Sequence, residues 1–365
     1  MGQARPRRRA PPLVVVGAGV LALAAMASGA LFLQTGLSQN DRFLEKPEAV
    51  VGQEVLAEAF SAGATSPTTV VVPADEAQEA AEAIADVEGV DAVQPGPTTD
   101  DLAQLQVTLD AEAESSAAFT TIERLRAALD DVGSGEGLVG GLDARSLDTA
   151  QAQARDQALI IPLILVLVLL VLVVLLRAIV APLLLLVAVV ASFFSAIGAS
   201  WWLFQTPWFD FPAIDTNVLL FSFLFLVALG VDYSIFLVTR ANEESAAHGT
   251  REGMVRALSA TGAVITSAGI LLAAVFAVLG VLPLITLTQI GIIVCVGVLI
   301  DTLLVRTVIV PASAFLTGDA FWWPRRLPAR GDAADGGSGE HDGGAEEAPA
   351  VATTRRQLRA ARRSG

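Results

Sequence analysis

Two carboxylates are set into apolar runs of this sequence. The stretch NVLLFSFLFLVALGVDYSIFLVTRANEE (217–244) holds Asp232, followed at once by Tyr233, the one tyrosine in the chain. The stretch IGIIVCVGVLIDTLLVRTVIV (290–310) holds Asp301, five residues before Arg306. A carboxylate at membrane depth costs roughly 2.5–3.5 kcal/mol on insertion scales, so it persists only where it is paired, hydrated or used. Asp232 precedes Arg240 by eight residues. At ~1.5 Å per residue the two aspartates stand ~12 and ~7.5 Å from the arginines that close their runs, within one helical turn of each other in height. Two carboxylates at one depth on two helices are what a proton relay needs.

Each of these residues also has a plainer explanation. Asp301 could be satisfied by a pair with Arg306 or by water at the membrane edge. Asp232 has no basic residue within a turn, which favours proton handling. Tyr233 lies about 100° round the helix from Asp232, where its hydroxyl could reach a neighbouring helix. Gly230 would let that neighbour come close. Ser222, Thr266 and Ser267 could extend a relay, although hydroxyls in spans are more often packing residues. Cys295 is the single cysteine and lies in an apolar run, which excludes an intrachain disulfide and a cysteine metal site. His248 and His341 sit in polar surroundings. No nucleophile, base and orienter can be grouped, so enzymatic chemistry, a metal, a cofactor and nucleic acid are all unexpected.

The elements that position the aspartates follow from hydropathy. A chain of 365 residues that is 53% hydrophobic and only 17% charged is too apolar for a soluble domain, where about 25% is charged. Four arginines precede an apolar run from Leu13. That run is longer than the ~7–15 residues of a signal-peptide core and long enough to span a bilayer. The expected layout is a basic N-terminus (1–12), a first span (13–35), a soluble module (36–157), five further spans (158–311) and a tail (312–365) too rich in Gly, Ala and acidic residues to bury a core. Trp201 and Trp202 suit a membrane interface. With the N-terminus inside, Arg177, Arg240, Arg251, Arg256, Arg306, Arg325 and Arg326 all fall on the cytoplasmic side and the module outside, as the positive-inside rule asks.

The module carries 24 acidic against six basic residues. A solvated outer surface explains that better than cation capture. TTVVVP (68–73), GVDAVQP (89–95), LAQLQVTLD (102–110) and GLVGG (137–141) read as strands. Helices are expected over 75–87 and 115–132, the second with Phe119, Ile122, Leu125 and Leu129 on one face. The order βαββαβ is the ferredoxin-like split arrangement.

Gly230-Val-Asp232-Tyr233-Ser-Ile-Phe-Leu-Val-Thr-Arg240-Ala-Asn-Glu243-Glu244 resembles the fourth-helix motif of the mycobacterial membrane protein large (MMPL) transporters, a branch of the resistance-nodulation-division (RND) superfamily. Ala260-Thr-Gly262 through Gly269, and Gln289-Ile-Gly291 through Asp301, Arg306 and Pro311, are similar to the same family. The resemblance implies a polytopic α-helical membrane protein of the plasma membrane, with one span plus five around an inserted α+β porter domain. It also implies export of lipids or other hydrophobic molecules driven by the proton gradient. By position Asp232 and Tyr233 take the relay role, with Asp301 as second candidate, Gly230 at the packing contact, and Arg240, Glu243 and Glu244 as a cytoplasmic motif. Family members usually hold twelve spans in two repeats. The present layout resembles the C-terminal repeat alone, an RND half-transporter whose opposing Asp and Tyr must come from a second six-span repeat, in a homodimer or a separately encoded half. The alternative is a non-transporting scaffold or sensor subunit of a cell-envelope assembly, or an inactive truncated transporter.

Overall fold

The computed structural model describes residues 11–37, 44, 47–59 and 66–325. Among them six helical segments are long and apolar enough to cross a membrane. The first is α1 (Pro12–Ala27), extended by a 3-10 turn to Phe32. The others are α5 (Leu142–Leu176), α6 (Val180–Phe204), α7 (Thr216–His248), α8 (Thr250–Leu279) and a composite sixth segment. That segment begins as α9 (Ile285–Ile300), winds as a π-helix over Asp301–Ile309, resumes as α10 (Val310–Thr317) and ends in a 3-10 turn, Gly318–Trp322. It therefore runs past residue 311, where hydropathy alone ends the span. The basic N-terminus, His341, Arg326 and most of the expected tail lie outside the described residues.

The module between α1 and α5 has the strand and helix order expected of it. Strands β1 (Thr68–Pro73), β2 (Val90–Thr98), β3 (Leu102–Leu109) and β4 (Leu138–Gly140) form one sheet in the order β2-β3-β1-β4, every neighbour antiparallel. Helices α3 (Ala77–Ala85) and α4 (Ser116–Asp130) cover one face. Alternation decides which face: Val70, Val72, Leu105, Val107 and Leu109 point toward Ile84, Ile122, Leu125 and Leu129, and all are buried. At roughly 1.5–3 kcal/mol for each fully buried aliphatic side chain, this core is what orders the module. Ser115 caps α4, its Oγ accepting from the Ala118 amide at 3.1 Å. A helix over Glu48–Ala59, α2, was not legible in the sequence.

One helix joins the module to the apolar bundle. The first turns of α5 bury Ala144 and Leu147 in the module core, while Leu172 and Leu176 belong to the bundle core. Arg126 of α4 grips Asp148 of α5 at 2.6 and 2.9 Å. Further along, Gln153 Nε2 donates to Asn217 Oδ1 at 2.9 Å and Gln157 Nε2 to the Thr216 carbonyl at 3.0 Å. Both partners are in the first turn of α7.

Within the bundle, lipid tails are as apolar as leucine, so association rests on close packing and buried polar contacts. At Gly198 of α6 an added Cβ would strike the Met26 carbonyl, so α1 and α6 meet backbone to backbone. Ser195 Oγ donates to the Leu23 carbonyl across the same contact at 2.9 Å. Trp201 is buried against this core and only Trp202 is exposed, so the pair is not the double interface anchor its spacing suggested.

Candidate functional site

The end of α7 nearer the module is fixed by a buried polar cluster. Asp215 caps the helix, its Oδ1 accepting from the Asn217 amide at 2.9 Å. Gln289 of α9 is fully buried; its Oε1 accepts from the Asp215 amide at 3.0 Å and its Nε2 donates to the Ala213 carbonyl at 2.8 Å. Thr286 Oγ1 donates to Asp215 Oδ2 at 3.1 Å. These bonds set the rotation of α7 and thereby which way each of its side chains points.

One face of α7 carries Phe221, Phe225, Ala228, Asp232, Phe236 and Thr239, all exposed and spaced by three or four residues, a single stripe on a 3.6-residue helix. Asp232 is the one charged group in it. Among the described residues no side chain bonds to it or pairs with it. Tyr233, a step further round, is half-buried and turns inward.

Beneath that face lies a buried ion pair. Arg306 is 1% exposed and Asp301 8%. Arg306 Nη2 reaches Asp301 Oδ2 at 2.5 Å, donates to the Gly230 carbonyl at 3.0 Å and lies 3.4 Å from Ser234 Oγ. The guanidinium sits over the Tyr233 ring, 5.1 Å from its centroid, a cation–π contact in a desolvated place. Its Nε and Nη1 have no hydrogen-bond partner among the described residues. Ser234 Oγ donates back to the Gly230 carbonyl at 2.6 Å. A Cβ at Gly230 would stand 3.4 Å from Val189 and 3.8 Å from Asp301 Oδ2, ordinary packing distances that place this glycine directly against the ion pair.

The π winding makes this possible. Residues five apart on an α-helix are about 140° apart round the axis and face different ways. A stretch bonded i to i+5 carries an extra residue per turn, which brings such positions together, and short π segments concentrate at functional sites. Asp301 opens the π segment and Arg306 lies within it. Arg306 is consequently not an interface arginine, as counting charges at span ends had it. It lies inside the bundle and pairs with Asp301, the structural alternative the spacing left open.

The remaining candidates divide in the same way. Arg240, Glu243 and Glu244 form exposed ion pairs at 2.9 and 2.6 Å. Arg325 Nη1 donates to Asn242 Oδ1 at 3.1 Å near by. His248 is half-buried, with Nδ1 3.3 Å from the Glu244 carbonyl. Ser222 is buried, and its hydroxyl has no partner among the described residues. Ser267 is exposed and bonds back to Val264 in its own helix. Thr266 is half-buried, and the hydrogen bonds of Arg306 go to Asp301, Gly230 and Ser234 rather than to Thr266 or Ser267.

A bundle of six apolar helices, an attached sheet module and a buried charge pair behind a lone carboxylate define a helical multi-pass membrane protein. The signature of the MMPL family covers residues 73–331, and the chain belongs to that family. It is 44% identical over 313 residues to the membrane protein ActII-3 of Streptomyces coelicolor, covering 86% of this chain and 44% of that one. The Apo-petrobactin exporter of Bacillus anthracis is 34% identical over 333 residues, 88% of this chain and 45% of the exporter. The Acyltrehalose exporter MmpL10 of Mycobacterium tuberculosis is 45% identical over 170 residues, 47% of this chain and 17% of that protein. The chain thus spans a little under half the length of the first two of these relatives.

Proposed function

We propose that this chain is one half of a proton-driven exporter of lipid or other hydrophobic molecules, with Asp232 and Tyr233 as its side of the proton relay. The observation that carries this reading is the placement of Asp232 in the exposed stripe of α7. An ionisable group facing hydrocarbon is costly, and such groups nearly always face protein or a water-filled path. The stripe therefore calls for a second six-helix repeat lying against α7, which would enclose Asp232 beside its counterpart. Arg306, held by Asp301, presents a fixed positive charge behind Tyr233 and so biases where a proton rests. Asp301 then serves as the arginine's counter-ion, a supporting rather than a proton-carrying role.

In this reading the sheet module is a ferredoxin-like porter domain on the extracytoplasmic side. Arg177, Arg240, Arg251, Arg256 and Arg325 cluster at the helix ends away from it, the bias that marks a cytoplasmic face. The names of two relatives, an exporter of apo-petrobactin and one of acyltrehalose, support outward movement of a cargo. The deciding experiment is Asp232→Asn. Export driven by an imposed pH gradient should vanish while the protein still reaches the membrane, and unchanged export would overturn the proposal.

A further inference from the structure

The sheet of the soluble module has one face covered by α3 and α4 and one open face, and the open face differs in charge from the rest of the module's surface. Residues directly opposite in neighbouring strands share a face. The register pairs Gln94 with Gln106, Thr69 with Gln106, Val71 with Gln104, Val71 with Leu138, Pro73 with Leu102 and Ala92 with Thr108. None of these is among the buried core residues beneath α3 and α4. They form the open face, where Leu102 and Leu138 are 51% and 70% exposed. Not one is charged. Residues 66–141, from which the face is built, contain 16 acidic residues and two arginines, so the charge lies on the helices, turns and edges instead.

We propose that this open face packs against the same face of a second copy of the chain. The choice of occupant follows from the charge map. A basic partner would be drawn to the acidic helices and turns, and a neutral face offers it nothing. An equally acidic partner is repelled everywhere else and can approach closely only where neither surface carries charge. The module of a second copy is such a partner. Two sheet faces pack about 10 Å apart with interdigitating side chains, and short polar and aliphatic residues of this kind suit that spacing. The inference rests on the two-repeat reading above and adds to it a second contact, outside the apolar bundle.

The two contacts can be probed separately by cysteine crosslinking in native membranes, with Cys295→Ala as the background. Gln106→Cys, Thr69→Cys and Gln104→Cys report the sheet face, Ala228→Cys reports the α7 stripe, and Glu123→Cys on α4 is the control. A short bis-maleimide should give a species of doubled mass for at least one sheet position and for Ala228→Cys, with only background for Glu123→Cys. Doubling at Ala228→Cys with none at any sheet position would overturn the sheet contact and leave the paired repeats standing. Doubling at the sheet alone would support the sheet contact and count against the α7 seam. No doubling anywhere, or equal doubling at Glu123→Cys, would overturn both. A crosslink from the sheet positions to some other protein would assign the face to a different occupant and overturn this one.

Discussion

The Arg306 guanidinium lies over the Tyr233 ring, 5.1 Å from its centroid, and this contact joins the sixth membrane segment to the helix that carries Asp232. The same guanidinium holds Asp301 at 2.5 Å and the Gly230 carbonyl at 3.0 Å. One buried cation thus ties together three of the residues that sequence alone marks as candidates.

Removing one member of that buried pair should cost far more than removing both. Arg306→Met alone strands the Asp301 carboxylate, and loss of one partner of a buried pair costs about 3–5 kcal/mol. Arg306→Met with Asp301→Leu replaces both by apolar groups and should recover most of that loss. Thermal unfolding of the detergent-solubilised proteins as a double-mutant cycle measures the coupling; additive losses would contradict it.

Tyr233→Phe separates the ring from its hydroxyl. The cation–π contact survives in the variant, so melting should shift by less than the ~0.5–2 kcal/mol assigned to such a contact, whereas Tyr233→Ala should lose it in full. Proton-coupled export should fall in both. A Tyr233→Phe variant that exports normally would remove the hydroxyl from the relay.

Gln289→Leu leaves the Asp215 amide and the Ala213 carbonyl without their side-chain partner in a buried place. Each orphaned group costs about 1–3 kcal/mol. The melting temperature should drop, and hydrogen exchange should rise at Asp215–Asn217 rather than across the whole bundle.

Gly198→Val drives a side chain into the backbone of α1. Overpacking of this kind typically costs about 1–3 kcal/mol, and here nothing flexible stands in the way to yield. By contrast Arg240→Ala removes only exposed ion pairs, each worth roughly 0–1 kcal/mol, and should leave the melting curve nearly unchanged. A large loss from Arg240→Ala would mean that its contacts with Glu243 and Glu244 are tied to something further.

The soluble module was the most legible part of the chain. The short apolar run TTVVVP, the alternation in LAQLQVTL and the stripe Phe119, Ile122, Leu125, Leu129 each point to one kind of element, and the elements fall within a few residues of where those patterns put them. The apolar spans were equally plain from length and hydropathy. What could not be read was winding. Nothing in DTLLVRTVI distinguishes a π from an α segment, so Arg306 was counted as an end charge when tertiary packing buries it. Helix α2 is not legible because EAVVGQEVLAEA, broken by Gly52, shows no clean apolar stripe. The exposure of Asp232 was half legible: its spacing from Phe225 and Phe236 puts all three on one face, but only packing shows that this face is the uncovered one.

Helix α5 runs 35 residues from module into bundle with Pro162 inside it, about 52 Å of helix in all. Its bonds from Gln153 and Gln157 to the first turn of α7 act as a pivot part-way along it. From Gln157 to Leu142 is ~22 Å. A tilt of about 10° about that pivot, in the part of α5 ahead of Pro162, sweeps the sheet module through ~4 Å. The helix that carries Asp232 and the helix that carries the module are thus joined at these two bonds, so a displacement of either is passed to the other.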